Sequence, residues 1–186
     1  MKCLPLFVAI SVLVGCGKGT TQKHGVNTTM PSGWKKVAPK DADYQFAVPS
    51  EAQIQSIPAA QAAELGQAKD ISMKEISVAS IGQTTMIVCT QTVGLTQPNL
   101  KDFVAGYLES LKKQGIVVGD VEQSTITTPT GNATRLKGRG KVADRPSWNI
   151  SYVWPDSKQI FSLSVTSMGP EDDAFAKQIA DTFSIR

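Results

Sequence analysis

The clearest hydrophobic pattern in the chain lies in residues 98–115, PNLKDFVAGYLESLKKQG. Its apolar positions recur at intervals of three and four residues, which is the period of one helical face. These positions are Leu100, Phe103, Val104, Tyr107, Leu108 and Leu111. Asn99 is placed to cap the first turn, and Lys112, Lys113 and Gly115 match the preferences of a helix C-terminus. The pattern therefore predicts an amphipathic helix.

A second helical period occupies the carboxy-terminal stretch GPEDDAFAKQIADTFSIR. Phe175, Ile179 and Phe183 recur on one side, which predicts a helix that packs back on a sheet. The residues at its start are Glu171, Asp172 and Asp173. We interpret these carboxylates as stabilising the positive end of the helix dipole, in preference to a metal or acid–base site.

Earlier in the chain the period changes to two, which is typical of strands. In DYQFAV the apolar residues Tyr44, Phe46 and Val48 alternate with polar or small ones, and Pro49 ends the strand. The stretches ISMKEISVAS and TTMIVCTQTV, separated at Gly82, predict a hairpin. Residues 50–68 are irregular or weakly helical in pattern, and no element is predicted there.

The segment from Val121 to Val165 predicts an antiparallel meander, because β-prone runs alternate with the turn sequences TPTGN, ADRPS and WPDSKQ. Two rows of apolar residues are expected to form the sheet core. One row is Trp148, Ile150, Tyr152 and Trp154, and the other is Phe161, Leu163 and Val165.

The amino terminus has the pattern of an export signal. Lys2 precedes an apolar run from Leu4 to Val14, which is shorter than a bilayer-spanning helix. The run ends in Leu13-Val14-Gly15-Cys16, which resembles the lipobox of bacterial lipoproteins. The resemblance implies a signal peptide over residues 1–15, acylation of Cys16, and a flexible tether over residues 16–33.

This resemblance also implies a location. The chain is expected to be exported and anchored to a membrane that it does not span. Gly17, rather than Asp, follows the acylated Cys16, which implies the periplasmic leaflet of the outer membrane in a Gram-negative bacterium. In other bacteria the expected location is the outer face of the cytoplasmic membrane.

The same stretch permits a remote alternative, because GKGT at residues 17–20 resembles the phosphate-binding loop of nucleoside monophosphate kinases. Such a loop binds phosphate through backbone N–H groups at the start of a helix. Here Gly19 follows Lys18 where the general motif has Ser or Thr, and Gly25, Pro31 and Gly33 break any following helix. A nucleotide-binding enzyme is therefore the weaker interpretation.

Residues 34–186 are expected to form a single α+β domain. Trp34, the strand motif Y-x-F-x-V-P and the terminal A-K-Q-I-A-D-T-F-S-I resemble the PsbP-like fold, including the DcrB-like bacterial lipoproteins. The resemblance implies an αβα sandwich, in which an antiparallel β-sheet carries a central amphipathic helix and a C-terminal helix packed on it. It also implies a binding or assembly factor, and it brings no catalytic residues.

Composition argues against catalysis as well. The only histidine is His24, in the predicted tether, so no His-based triad or catalytic zinc site is expected in the domain. No cofactor or metal is predicted. Of Cys3, Cys16 and Cys89, only Cys89 belongs to the domain, where its β-prone surroundings predict a buried small hydrophobe. A net charge of +3 is too small to indicate nucleic-acid binding.

One charge pattern is a candidate binding site. In ATRLKGRGKV, four cations are spaced by two, so an extended strand places them on one face. These cations, the cationic stripe, are Arg135, Lys137, Arg139 and Lys141. One interpretation is a solvated edge strand on which cations block aggregation. The other is a patch that binds an anionic partner, such as lipid headgroups, polysaccharide or an acidic protein.

Together these observations favour a lipid-anchored, non-enzymatic envelope lipoprotein that binds a partner protein or an anionic envelope component. A structural accessory subunit of an envelope complex is the alternative.

Overall fold

The computed structural model describes residues 30–65, 72–95, 99–113, 119–142 and 144–186. The predicted signal peptide, Cys16, His24 and the GKGT sequence lie outside these residues, as does Gly115 at the predicted end of the central helix.

The described residues form two antiparallel sheets and three helices. The elements, in chain order, are β1 (Trp34–Val37), β2 (Tyr44–Pro49), β3 (Gln53–Ile57), α1 (Ala59–Leu65), β4 (Ser72–Met73), β5 (Ile76–Ile81), β6 (Thr85–Val93), α2 (Leu100–Lys113), β7 (Val121–Thr128), β8 (Gly131–Val142), β9 (Arg145–Asp156), β10 (Gln159–Met168), α3 (Asp173–Thr182) and β11 (Ser184–Ile185).

The large sheet has the strand order β3-β5-β6-β10-β9-β8-β7, and β4 pairs with β6. The small sheet has the order β1-β2-β11. The predicted hairpin is confirmed as β5 and β6, and the predicted meander as β7 to β10. The α+β class, the central helix and the carboxy-terminal helix are confirmed too.

The two predicted apolar rows lie on the same face of the large sheet. Phe161 pairs with Trp154, Leu163 with Tyr152 and Val165 with Ile150, and directly opposed residues of an antiparallel pair share a face. We call this the α3 face, because α3 and the small sheet cover it. The core there includes the fully buried Tyr44, Phe46 and Phe183.

The opposite face of the large sheet packs against α2. Phe103, Val104 and Tyr107 of the helix contact Leu136, Val153 and Ile160 of the sheet. The three layers are therefore α2, the large sheet, and α3 with the small sheet. Burying each large apolar side chain in such a core stabilises the fold by about 2 kcal/mol.

The Tyr44 hydroxyl ties the small sheet to the large one. It lies 2.9 Å from the carbonyl oxygen of Cys89 in β6 and accepts a hydrogen bond from the N–H of Ser77 in β5 at 3.0 Å. Burial raises the pKa of the Tyr44 phenol, so it remains a neutral donor. Two of its partners are buried backbone groups, and both lose a hydrogen-bonding partner when the hydroxyl is removed.

We predict that Tyr44→Phe lowers the free energy of unfolding by about 2 kcal/mol, because two strands lose a buried hydrogen-bonding partner. Urea denaturation of the purified protein measures this. Tyr107→Phe is the matched control: its hydroxyl bonds Ser151 Oγ at 2.8 Å, and that oxygen keeps Asn149 and Ser164 as partners. A control loss as large as that of Tyr44→Phe would contradict the account.

Candidate functional site

The cationic stripe lies in β8, which is an interior strand. Its backbone pairs with β7 on one side, from Val121↔Gly138 onward, and with β9 on the other. The interpretation as an edge strand is therefore wrong. The edge is β7, whose mostly polar residues VEQSTITT cover one side of β8. Blocking of edge-to-edge aggregation does not explain the four cations.

The expected shared face is confirmed by the register. Arg135 pairs with Tyr152, Lys137 with Ile150 and Arg139 with Trp148, so the cations lie on the α3 face. This is the same face that carries the main core. The stripe therefore begins beside buried residues and runs outward along the β8–β9 hairpin, toward the end of the sheet.

The inner half of the stripe is neutralised within the molecule. Arg135 forms an ion pair with Asp173, and Lys137 forms ion pairs with Glu171 and Asp173, the latter at 3.0 Å. The side chains of Arg135 and Lys137 are only 17% and 13% exposed. We call these two residues the inner cations.

The acidic partners come from the beginning of α3. Asp172 caps this helix, since its carboxylate accepts a hydrogen bond from the N–H of Phe175 at 2.9 Å. The predicted stabilisation of the helix start is thus confirmed for Asp172. Glu171 and Asp173 have an additional role as counter-ions of β8. Nothing in the local sequence indicates this pairing, because the partners are more than thirty residues apart.

The ion pairs shift the pKa values of their members. Partial burial opposes ionisation of Asp173, but hydrogen bonds from Arg135 and Lys137 outweigh it and lower the pKa of the carboxyl. For Lys137, hydrogen bonds to Glu171 and Asp173 raise the pKa of the ammonium group. Each charge therefore stabilises the other across the interface between α3 and β8.

The outer half of the stripe is different. Arg139 and Lys141 are exposed, and within the described part of the chain neither forms an ion pair. We call them the outer cations. The Arg139 guanidinium lies over the ring of Trp148, 4.6 Å from its centroid, and Lys137 approaches the same ring at 5.4 Å. Arg139, Lys141 and Trp148 form what we call the cationic–aromatic surface.

A small pocket adjoins this surface, between the first turn of α3 and the large sheet. Its volume is about 50 Å³, enough for a few water molecules and too small for an organic substrate. The residues that line it are Thr85, Trp148, Ile150, Val165, Ser167, Asp172 and Phe175. Phe175 also contacts Trp34, with ring centroids 6.0 Å apart.

A reactive thiol and a metal-binding cluster would be two possible sources of reactivity in the described residues. Cys89 is fully buried, as predicted for a small hydrophobe, and burial raises the pKa of its thiol. Across the described ranges, no group of three or more His, Cys, Asp or Glu side chains is arranged to hold a metal ion. The arrangement at the stripe instead suits the binding of an anion by charge and by guanidinium donors.

The fold has counterparts among solved structures. The solution structure of cyanobacterial PsbP (CyanoP) from Synechocystis sp. PCC 6803 has a TM-score of 0.58 at 12% identity, over 89% of this chain and 98% of that one. A crystal structure from Bacteroides thetaiotaomicron has a TM-score of 0.50 at 10% identity, over 82% of this chain. The present chain spans 48% of the length of the Bacteroides protein. The fold is therefore PsbP-like, as the sequence resemblance implied.

A weaker likeness exists to LpqN of Mycobacterium tuberculosis, described as involved in cell envelope biogenesis, with a TM-score of 0.38 at 14% identity over 89% of each chain. No protein-family model and no curated protein sequence matches the chain.

We predict that Asp173→Asn lowers the free energy of unfolding by about 1 kcal/mol at pH 7, a value discounted because the carboxylate is 44% exposed. The folded-state pKa of Asp173 is lowered, so its contribution is complete above the unfolded pKa of about 3.9 and disappears as the pH falls through the folded value. Denaturant unfolding from pH 7 to pH 3 measures the difference.

The control for this prediction is Asp120→Asn, an equivalent change at an exposed residue just before β7. It is expected to leave stability unchanged at both pH values. A loss for Asp173→Asn that stays constant from pH 7 to pH 3 would show that the ion pairs are not its cause.

Proposed function

We propose that this chain is a lipid-anchored, non-enzymatic protein of the bacterial cell envelope, whose domain binds an anionic envelope component or partner through the outer cations. The proposal rests on the difference between the inner and the outer cations of the cationic stripe. Glu171 and Asp173 neutralise the inner cations, whereas Arg139 and Lys141 extend along the same strand into solvent.

The electrostatics of this arrangement favour an external anion. Alternate residues of a strand lie about 6 to 7 Å apart, so neighbouring cations of the stripe repel one another. An anionic partner at the outer cations relieves this repulsion and gains charge-assisted hydrogen bonds. The cation–π contact of Arg139 with Trp148 restricts the position of the guanidinium, which lowers the entropy lost on binding.

The proposed anchor is an acyl group on Cys16, inferred from the sequence LVGC. None of the described helices is long and apolar enough to cross a bilayer. A binding role, rather than an enzymatic one, is supported by the burial of the Cys89 thiol and by the position of the only histidine in the predicted tether.

The test compares the amine reactivity of Lys141 in two settings. The full chain is treated with an acetylating reagent either in isolated envelopes of cells that express it or after purification in detergent. Mass spectrometry then gives the acetylation rate of each lysine. We expect Lys141 to react about fivefold more slowly in envelopes, because a bound anion covers its ammonium group.

Lys158, in the exposed turn between β9 and β10, is the internal control and should react equally in both settings. The mass of the amino-terminal peptide reports separately whether Cys16 carries acyl groups. Equal rates for Lys141 in envelopes and in detergent would refute the proposed binding surface.

A further inference from the structure

We infer that the anionic partner is the membrane itself: the cationic–aromatic surface docks the domain on the anionic phospholipid headgroups beside its own anchor. This inference rests on the proposed lipid anchor at Cys16. It deepens the proposed function by naming what Arg139, Lys141 and Trp148 bind.

The first observation in favour of membrane docking is the position of the amino-terminal end of the domain. The described residues begin at Met30, and the ring of Trp34 contacts Phe175 at 6.0 Å. Phe175 and Trp148 line the same pocket, and Trp148 lies under Arg139. These shared neighbours place the amino-terminal end of the domain close to the outer cations. The anchored segment leads to the end of the molecule that carries them.

The second observation is the length of the segment that joins Cys16 to the domain. The stretch between Cys16 and Trp34 comprises residues 17–33, which span at most about 60 Å even when fully extended. An acyl anchor thus confines the domain to a thin layer above the headgroups, where a weak surface contact acts at high effective concentration. Modest affinity at the outer cations is then sufficient for docking.

The third observation is that the cationic–aromatic surface matches the chemistry of an anionic phospholipid headgroup. The exposed guanidinium of Arg139 lies over the Trp148 ring, and guanidinium N–H donors match the oxygens of a phosphodiester. Lys141 adds a second cation two residues along the strand, and each cation near an anionic bilayer raises affinity about fivefold. Trp148 supplies an amphipathic ring of the kind enriched at membrane interfaces. The exposed Met30 offers an apolar contact close to the amino-terminal end.

The surface is less suited to an acidic protein. Protein interfaces have an apolar core surrounded by a polar rim. Among the described residues, the large hydrophobic side chains that are exposed are Met30 and Ile54, and Ile54 lies on β3, at the far edge of the large sheet. The cationic–aromatic surface therefore offers charge and one part-exposed indole, without the apolar cluster that anchors a protein partner.

The test uses the full, acylated chain reconstituted into vesicles of phosphatidylcholine alone or with about 30% phosphatidylglycerol. The acetylation rate of Lys141 is measured by mass spectrometry, with Lys158 as the internal control. We expect Lys141 to react about fivefold more slowly in the anionic vesicles, and salt at about 0.5 M to abolish the difference. Arg139→Glu should remove the protection, whereas the matched charge change Lys101→Glu, on α2, should retain it.

Equal rates for Lys141 in both kinds of vesicle overturn the inference. If Lys141 is nevertheless protected in isolated envelopes, the partner is a protein or polysaccharide and the proposed function survives. If Lys141 is protected in neither, both the inference and the proposed binding surface fail. If the mature chain carries no acyl groups on Cys16, both the inference and the proposed lipid anchor are wrong.

Discussion

The interaction on which the functional architecture depends is the ion-pair cluster between the start of α3 and the middle of β8. Glu171 and Asp173 lie where the helix dipole already favours negative charge, and they meet Arg135 and Lys137 on the face that α3 covers. Without these carboxylates, closing α3 over the sheet would leave two cations with little solvent and no counter-ion. Because Arg135 and Lys137 both keep some access to solvent, that arrangement costs about 1 kcal/mol per cation.

The same ion-pair cluster also determines which cations of the stripe remain exposed to solvent. α3 begins at Asp173, so its acidic turn neutralises the inner cations only. Beyond that turn, the β8–β9 hairpin continues with Arg139, Lys141 and Trp148 on the same face. The boundary between core and candidate binding surface is therefore set by where one helix starts. Packing of Phe183 against Trp154, with ring centroids 4.2 Å apart, fixes the other end of that helix.

Much of this fold is predictable from local pattern. The helices α2 and α3 and the strands β5, β6 and β8 to β10 have strong patterns, because each buries at least one face against a neighbour. By contrast, β3 has the sequence QIQSI, and four of its five residues are exposed at an edge of the sheet. Burial imposes no alternation there, so residues 50–68 gave no strand signal. The short β1 and β11 are defined by pairing with β2 and have little pattern of their own.

Part of the candidate site was also predictable from local sequence pattern. Spacing by two correctly placed the four cations of the stripe on one face, since that follows from strand geometry. It did not reveal that β8 is interior, because strand order in a sheet is a tertiary property. Nor did it reveal that Asp173 lies against Arg135, since the two residues come together only when α3 packs. The division into inner and outer cations therefore required the structure.

The most direct test of that division compares Lys137 with Lys141 in the detergent-solubilised full chain, where no membrane or envelope partner is present. Acetylation requires the neutral amine, and the ion pairs with Glu171 and Asp173 raise the pKa of Lys137 and cover its side chain. We therefore expect Lys137 to react more slowly than Lys141. Equal rates would contradict the account, because both cations would then be equally free.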